Sequence, residues 1–221
     1  MTLDFNDDGT YTKDVVLKNV RYALFDPKSL QDDAFFAKFL DMAVVFVLMD
    51  HSHPNRPRYK IIDAVDMVSL DIRLEEIMEA ANENCRKAGY RIMLMEDAIF
   101  EITGIEIPND MPCPMYVGTN PERILGASIL MHETYLEELA MQIEDDLCIA
   151  PSSIHEVLIF PLSRVQPGKI IETVRDINRT EVSPQEKLSD SAYIYRRDTH
   201  VISQATLKKP DDLTCKENAG E

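Results

Sequence analysis

The sequence of 221 residues is poor in glycine and cysteine, and each shortage argues against a class of protein. Seven glycines leave little material for loops that cradle phosphates, and the motifs G-x-G-x-x-G, G-x-x-x-x-G-K-[ST], H-E-x-x-H and G-x-S-x-G are missing. Four cysteines without a C-x-x-C pair argue against a disulfide framework, a zinc knuckle and a dithiol redox motif. The sequence therefore disfavours common nucleotide enzymes and indicates a reduced, intracellular protein.

Basic residues and long apolar runs are also scarce. Lys and Arg number 23 against 39 Asp and Glu, which gives a net charge of −16. Binding to nucleic acid depends on cations that neutralise phosphates, so this balance disfavours direct contact with DNA or RNA. The longest apolar run, residues 42–49, is far shorter than the roughly 20 residues of a membrane span. The acidic N-terminus does not resemble a signal peptide, and we expect a cytoplasmic protein that does not bind membranes.

Hydrophobic periodicity predicts helices and strands that are intermixed along the chain. Amphipathic helices are predicted over residues 73–87, 133–144 and 167–179, and a further helix over residues 29–40. Strands are predicted over residues 15–25, 43–48, 59–68, 147–149 and 156–160, with hairpins formed by residues 115–117 and 124–131 and by residues 192–195 and 199–203. Residues 91–102 fit either a strand or a helix. The mixture indicates an α+β fold, with a mixed, largely antiparallel sheet and three or four amphipathic helices.

The composition along the chain predicts a single domain. We expect an α+β domain over residues 1–207, with a weak subdivision near residues 105–114, where prolines cluster. From residue 208 onward apolar residues are sparse, so residues 208–221 are predicted to form a flexible tail.

Two segments place histidine beside carboxylates and could supply metal ligands. His51 and His53 follow Asp50, and imidazoles two residues apart on an extended segment point the same way. His132 precedes Glu133 at a predicted helix start. A metal would need further ligands that the sequence does not locate, so we interpret these segments as a solvated loop and a surface helix start. No metal or cofactor is predicted.

Residues 151–156, with the sequence P-S-S-I-H-E, bring two hydroxyls, an imidazole and a carboxylate close together in sequence. A nucleophile needs a base within hydrogen-bond reach and a third group that orients the base, and Ser152, Ser153, His155 and Glu156 offer these types. Triads are usually assembled from separated positions, however. The alternative is that the serines shape a turn and His155 makes a structural hydrogen bond.

The strongest electrostatic feature is a concentration of acidic residues in the middle of the chain. Residues 92–163 contain 13 acidic residues and a single base, Arg123, so this stretch carries −12 of the total −16. Solubility alone is one explanation, because surfaces tolerate such an excess. The functional explanation is an acidic surface that docks a basic partner or imitates the phosphates of DNA, and steers association by charge.

Four segments resemble a known family. They are residues 39–46 (F-L-D-M-A-V-V-F), 115–120 (M-Y-V-G-T-N), 147–161 (L-C-I-A-P-S-S-I-H-E-V-L-I-F-P) and 188–191 (L-S-D-S) ahead of Tyr193 and Tyr195. Together they resemble an uncharacterised bacterial family of anaerobic gut bacteria, a domain of unknown function, over roughly residues 15–205. P-S-S-I-H-E-V is the most specific piece. The resemblance implies an intracellular bacterial protein, many of whose relatives are longer at the N-terminus, and it assigns no catalytic residue.

These observations predict a non-enzymatic intracellular protein that presents an acidic surface to a basic protein partner. In a bacterium it could act as a regulator or counter-defence inhibitor that occupies a nucleic-acid-binding site. The predicted contacts cluster on and just after one helix: Glu137, Glu138, Glu144, Asp145 and Asp146. The alternative is a hydrolase-like enzyme centred on residues 152–156.

Overall fold

The computed structural model describes residues 11–31, 34–50, 58–108 and 113–206, except for the side chain of Asp50. Within these ranges the chain forms six α-helices and ten strands, and the predicted α+β class is confirmed. The predicted tail over residues 208–221 and the pair His51 and His53 lie outside the described residues.

Helices and strands follow one another irregularly along the chain. The helices are α1 (Lys13–Asn19), α2 (Ala64–Ser69), α3 (Leu74–Ala88), α4 (Met95–Thr103), α5 (Glu133–Ile143) and α6 (Pro167–Thr180). The strands are β1 (Val20–Phe25), β2 (Ala37–Phe39), β3 (Met42–Asp50), β4 (Arg58–Ile62), β5 (Arg91–Leu94), β6 (Tyr116–Thr119), β7 (Leu147–Pro151), β8 (Val157–Pro161), β9 (Tyr193–Arg196) and β10 (Val201–Gln204). Short 3-10 helices span Pro27–Ser29, Gly126–Met131 and Leu162–Arg164.

The first sheet is built around β3, the longest apolar run of the sequence. Strand β1 pairs with one edge of β3, while β2 and β4 pair with successive parts of its other edge, all antiparallel. Alternate side chains of β3 face opposite ways, since Val45 and Val47 lie in one apolar cluster and Phe46 and Leu48 in another. A strand that is buried on both faces reads as an uninterrupted apolar run, as predicted for residues 43–48.

The second sheet has six antiparallel strands in the order β10-β9-β7-β8-β6-β5. Its central strand β7 is buried along its whole length. Leu147 and Ile149 face the apolar cluster shared with the first sheet, whereas Ile194 of β9 packs toward Ile171 of α6 on the other side. The predicted strands over residues 147–149 and 156–160 and the predicted hairpin over residues 192–203 are confirmed.

One apolar core joins the two sheets. It combines side chains of the first sheet with side chains of the second, such as Ile159 and Tyr193, and with the 3-10 helix Gly126–Met131, which contributes Ala127, Ile129 and Leu130. Each fully buried large apolar side chain stabilises the fold by about 1.5–3 kcal/mol. This core therefore holds the two sheets in one body.

Helices α1, α2 and α3 cover the other face of the first sheet. Ile77 and Ala81 of α3 are completely buried in a second cluster with Val16 of α1 and Met67 of α2. Helix α3 ends at Gly89, whose φ of 72° favours glycine. The helices predicted over residues 73–87, 133–144 and 167–179 are confirmed as α3, α5 and α6.

Three predictions in the N-terminal half are wrong in part, two because a capped helix replaces part of a predicted strand and one because a predicted helix pairs as a strand. Residues 15–25 begin as helix α1, because Thr12 accepts a hydrogen bond from the backbone N–H of Val15 and Asp14 favours the first turn. Residues 59–68 leave the strand after Ile62, where Asp63 and Asp66 form a capping box that starts α2. Residues 29–40 form no long helix in their described part, since residues 37–39 pair with β3 instead.

The hairpin predicted from residues 115–117 and 124–131 is also wrong. Strand β6 forms, but it pairs with β5 and β8, and residues 126–131 wind into a buried 3-10 helix. Leu125 has φ 57° and ψ 26°, a left-handed conformation that interrupts any strand. The ambiguous residues 91–102 divide into β5 and α4, so they contain both of the elements considered.

A single carboxylate connects the two sheets on their polar side. Asp41, in the turn between β2 and β3, accepts hydrogen bonds from the hydroxyls of Ser189 (2.8 Å), Ser191 (2.9 Å) and Tyr193 (2.7 Å). Gln204 adds a longer bond of 3.4 Å. Among the described residues no cation pairs with this carboxylate. Burial raises the pKa of the Tyr193 hydroxyl, which therefore donates its proton to Asp41 rather than ionising.

Replacing Asp41 should destabilise the whole protein. We expect Asp41→Ala to lower the free energy of unfolding by about 3 kcal/mol, because the buried hydroxyls of Ser189 and Tyr193 lose their acceptor. Urea unfolding followed by circular dichroism measures this change. Asp198→Ala is the matched control, since Asp198 is exposed and makes no hydrogen bond or ion pair with the described residues. Equal stability of the two variants would contradict the role assigned to Asp41.

Candidate functional site

The segment with the two serines and the histidine forms the connection between β7 and β8. The backbone N–H of Ser153 donates to the carbonyl of Glu156 at 3.3 Å, and the Ser153 hydroxyl accepts from the backbone N–H of His155 at 3.0 Å. Ser152 and Glu156 are half-buried, and their side chains make no hydrogen bond with the described residues. The hydroxyl of Ser153 therefore serves the backbone of its own turn.

The His155 side chain is held by the backbone of a neighbouring loop. Its Nδ1 accepts a hydrogen bond from the N–H of Leu125 at 3.1 Å, so in the neutral ring the proton is on Nε2. Nε2 lies 3.8 Å from a carboxylate oxygen of Glu186. Among the described residues neither Ser152 nor Ser153 makes a hydrogen bond to the imidazole. The four residues lie in one turn, but their hydrogen bonds do not pair a nucleophile with a base. We call the contact of His155 Nδ1 with the N–H of Leu125 the anchor of this turn, because it fixes the turn to the neighbouring loop.

Three residues that the sequence did not single out complete this anchor. The Thr119 hydroxyl donates to the carbonyl of His155 at 2.9 Å, and the Asn120 side chain bonds both backbone groups of Ile124. Gly126 is packed so closely that a Cβ there would lie 2.3 Å from the Thr119 hydroxyl oxygen. The available signal was the turn sequence G-T-N-P at residues 118–121, which indicates a tight turn. It does not indicate that this turn contacts the segment around His155.

The five predicted acidic contacts do not share one environment. Glu137 and Glu138 are exposed on α5, and Glu144 is exposed immediately after it. Asp145 is half-buried and accepts hydrogen bonds from the backbone N–H (3.1 Å) and the hydroxyl (2.5 Å) of Ser163.

Asp146 is also used inside the protein. Its carboxylate accepts hydrogen bonds from the Arg196 guanidinium at 2.6 Å and from the Arg197 backbone N–H at 2.9 Å. Partial burial alone would raise the pKa of Asp146, but the two hydrogen bonds outweigh burial and lower that pKa below its usual range. Asp145 and Asp146 therefore connect loops, and the three glutamates are the members of the predicted set that are exposed at the surface.

We define the acidic face as the exposed residues Glu133, Glu137, Glu138, Met141 and Glu144 of α5 and its C-cap. Helix α5 contains no Lys or Arg. Among the described residues the face makes one contact with a potential cation, since Glu137 Oε1 lies 3.8 Å from Nδ1 of His200. The Met141 side chain is 59% exposed and gives the face an apolar centre. Sequence reasoning missed Glu133 and Met141 as members of this face.

The C-terminal part of the acidic face is unfavourable for the helix that carries it. The C-terminal end of a helix has a negative partial charge and favours cations, but α5 has no base in its last turn and is followed by Glu144. Glu144 also adopts φ 54° and ψ 34°, a left-handed conformation in which glycine or asparagine is preferred. The stability of the fold therefore does not explain a glutamate at this position.

The second histidine segment forms no metal site in the described part of the chain. The ring of His132 stacks at 4.7 Å on Tyr90, and burial lowers the pKa of His132. The described residues contain no group of three or more His, Cys, Asp or Glu side chains that could hold a metal ion.

Comparison with known proteins gives a family without an assigned activity. The pattern of the family of unknown function DUF5688 matches residues 13–197. Neither the curated proteins nor the solved structures contain a match. In the described parts of the chain, no helix has the length and apolar character needed to cross a membrane.

Replacing His155 should cost stability. His155→Ala leaves the N–H of the buried Leu125 without its acceptor, and we expect the free energy of unfolding to fall by about 2 kcal/mol. Ser152→Ala, the control in the same turn, should change it by less than about 0.5 kcal/mol. Chemical denaturation of both variants measures the difference, and an unchanged stability of His155→Ala would refute the anchor.

Glycine at two positions of α5 should have opposite effects. Glu144→Gly removes a strained left-handed glutamate and should raise the free energy of unfolding by about 1 kcal/mol. Glu138→Gly removes the same side chain from the helix interior and should lower it by between about 0.5 and 1 kcal/mol. Thermal and urea unfolding of both variants provide the comparison. If Glu144→Gly is the less stable variant, Glu144 stabilises the helix end after all.

Proposed function

The chain belongs to DUF5688, a family of unknown function, and we propose that it is an intracellular bacterial protein without enzymatic activity that docks a basic protein partner. The observation that carries the proposal is the acidic face. Four glutamates surround an exposed methionine there, without a compensating Lys or Arg on the helix.

Charge pairing inside the protein supports this assignment. Several acidic side chains elsewhere are paired with a base, as in the bidentate pair of Glu122 with Arg21 and the pair of Asp66 with Lys60. On the acidic face Glu133, Glu138 and Glu144 have no ion-pair partner among the described residues. A basic partner would supply the missing cations, and the opposite charges would increase the rate of encounter.

The composition of the face also indicates how a partner would be held. The glutamates provide long-range attraction, while Met141 can bury apolar surface on contact. The partner should therefore present Lys or Arg around a small apolar patch. In one specific version that patch is the nucleic-acid-binding site of the partner, and the glutamates take the place of phosphates.

The hydrolase alternative has less support. His155 Nδ1 is occupied by a backbone N–H, and the Ser153 hydroxyl accepts from the backbone of its own turn. A nucleophilic serine would need to donate its hydroxyl proton to the accepting nitrogen of the imidazole, and in neutral His155 that nitrogen, Nδ1, is already occupied by the N–H of Leu125. We therefore interpret residues 152–156 as a turn whose polar side chains stabilise the fold.

The proposal is tested with two variants that lose the same number of charges. The first neutralises the acidic face: Glu133→Gln, Glu137→Gln, Glu138→Gln and Glu144→Gln. The control neutralises four other exposed acids of α3 and of α6 with its C-cap: Glu75→Gln, Glu79→Gln, Glu172→Gln and Glu181→Gln. Tagged wild-type protein, the face variant and the control are used to capture partners from bacterial lysate at low and high salt.

We expect the wild type and the control to retain a basic protein at low salt and to lose it at high salt, because salt screens exposed charges. The face variant should bind the purified partner at least about tenfold more weakly by calorimetry. Equal weakening in the face and control variants would contradict a specific surface. Failure to recover any salt-sensitive basic protein with wild type would contradict the proposal as a whole.

A further inference from the structure

A cleft of about 300 Å³ between α1, β1 and α3 has the opposite charge to the protein as a whole. Two lysines, Lys18 and Lys87, and Arg21 line it, together with the carboxamides of Asn19 and Asn84, and Met49 and Ala88 complete the wall. Among the described residues no carboxylate lines this cleft. Three cations thus converge on one concave site in a chain with net charge −16.

The walls of the cleft are fixed by contacts within the fold. The Asn84 side-chain amide donates to the carbonyls of Leu17 and Val20 at 3.0 and 2.8 Å, which ties α3 to the end of α1. The Met49 side chain is 3% exposed and belongs to the core between the sheets. A site with this support is largely formed before any ligand arrives.

The cations of the cleft differ in how far they are already neutralised. Arg21 is held by Glu122 through two bonds of 3.0 Å, so its charge is compensated. Lys87 lies 3.4 Å from Glu83, but Glu83 is shared with Arg86 at 2.7 Å. Lys18 is exposed and has no ion-pair partner among the described residues. The available positive charge therefore comes from the two lysines.

We propose that this cleft binds a small anion that carries a phosphate group. Two separated ammonium groups attract a dianion more strongly than a monovalent carboxylate, and lysine is a common phosphate ligand as a point charge. The volume lies at the lower end of small-molecule sites and leaves space for a phosphate with a short organic group. This site is independent of the acidic face.

Neighbouring carboxylates set the affinity of the cleft. Asp14 and Glu83 line the adjoining groove on the far side of Lys18 and Lys87. Their repulsion of an anion decreases when either is neutralised. Loss of lysine and loss of glutamate should therefore change the affinity in opposite directions, which a purely structural role of these side chains would not produce.

The test measures binding of inorganic phosphate and inorganic pyrophosphate to the full chain by NMR titration and calorimetry at low salt. Lys18→Ala with Lys87→Ala should weaken binding at least about tenfold. Glu83→Gln should strengthen it by about two- to fivefold. The control, Lys28→Ala with Lys38→Ala, removes the same charge from exposed positions outside the cleft.

Thermal unfolding of each variant shows whether it is folded, since Lys18 lies in the last turn of α1, where a cation also stabilises the helix. Chemical-shift changes on addition of phosphate or pyrophosphate that are confined to residues 18–21 and 84–88 would support the site. They should be lost in the variant with Lys18→Ala and Lys87→Ala and retained in the control. Equal weakening in the control would overturn it, because the effect would then be one of net charge. Absence of binding at millimolar phosphate or pyrophosphate would overturn it as well.

Discussion

The polar contact between the two sheets on which their relative placement depends is a carboxylate held by hydroxyl groups. Asp41 lies in a turn of the first sheet, and its partners Ser189, Ser191 and Tyr193 lead into and begin β9 of the second. Burial of the apolar core supplies most of the free energy of folding, but it is not directional. The hydrogen bonds to Asp41 are directional, and they fix where the turn between β2 and β3 meets the start of β9.

The segments that resemble the family meet in pairs in the folded chain. Residues 39–46 contain Asp41 and contact residues 188–195, while residues 115–120 contain Thr119 and contact the turn around His155. Both pairs connect elements far apart in sequence. The segment P-S-S-I-H-E-V is therefore explained by the contacts that it makes within the fold, and we look for the function on the surface.

Two surface features of opposite charge carry the functional proposals. The acidic face includes Glu144, which opposes the helix dipole in a strained conformation. The cleft brings together Lys18 and Lys87 from two helices, although the chain as a whole is strongly acidic. Net charge alone explains neither feature, because each depends on where a few side chains lie relative to their neighbours.

The sequence by itself determined the α+β class, the buried strand β3 and the amphipathic helices α3, α5 and α6, because periodicity is a local property of the chain. It also determined the acidic charge from which the function was inferred. Only the tertiary structure decided that residues 126–131 form a buried 3-10 helix, that Asp145 and Asp146 are hydrogen-bonded to Ser163 and Arg196, and that lysines of α1 and α3 share a cleft. These outcomes depend on partners distant in sequence, which no local pattern contains.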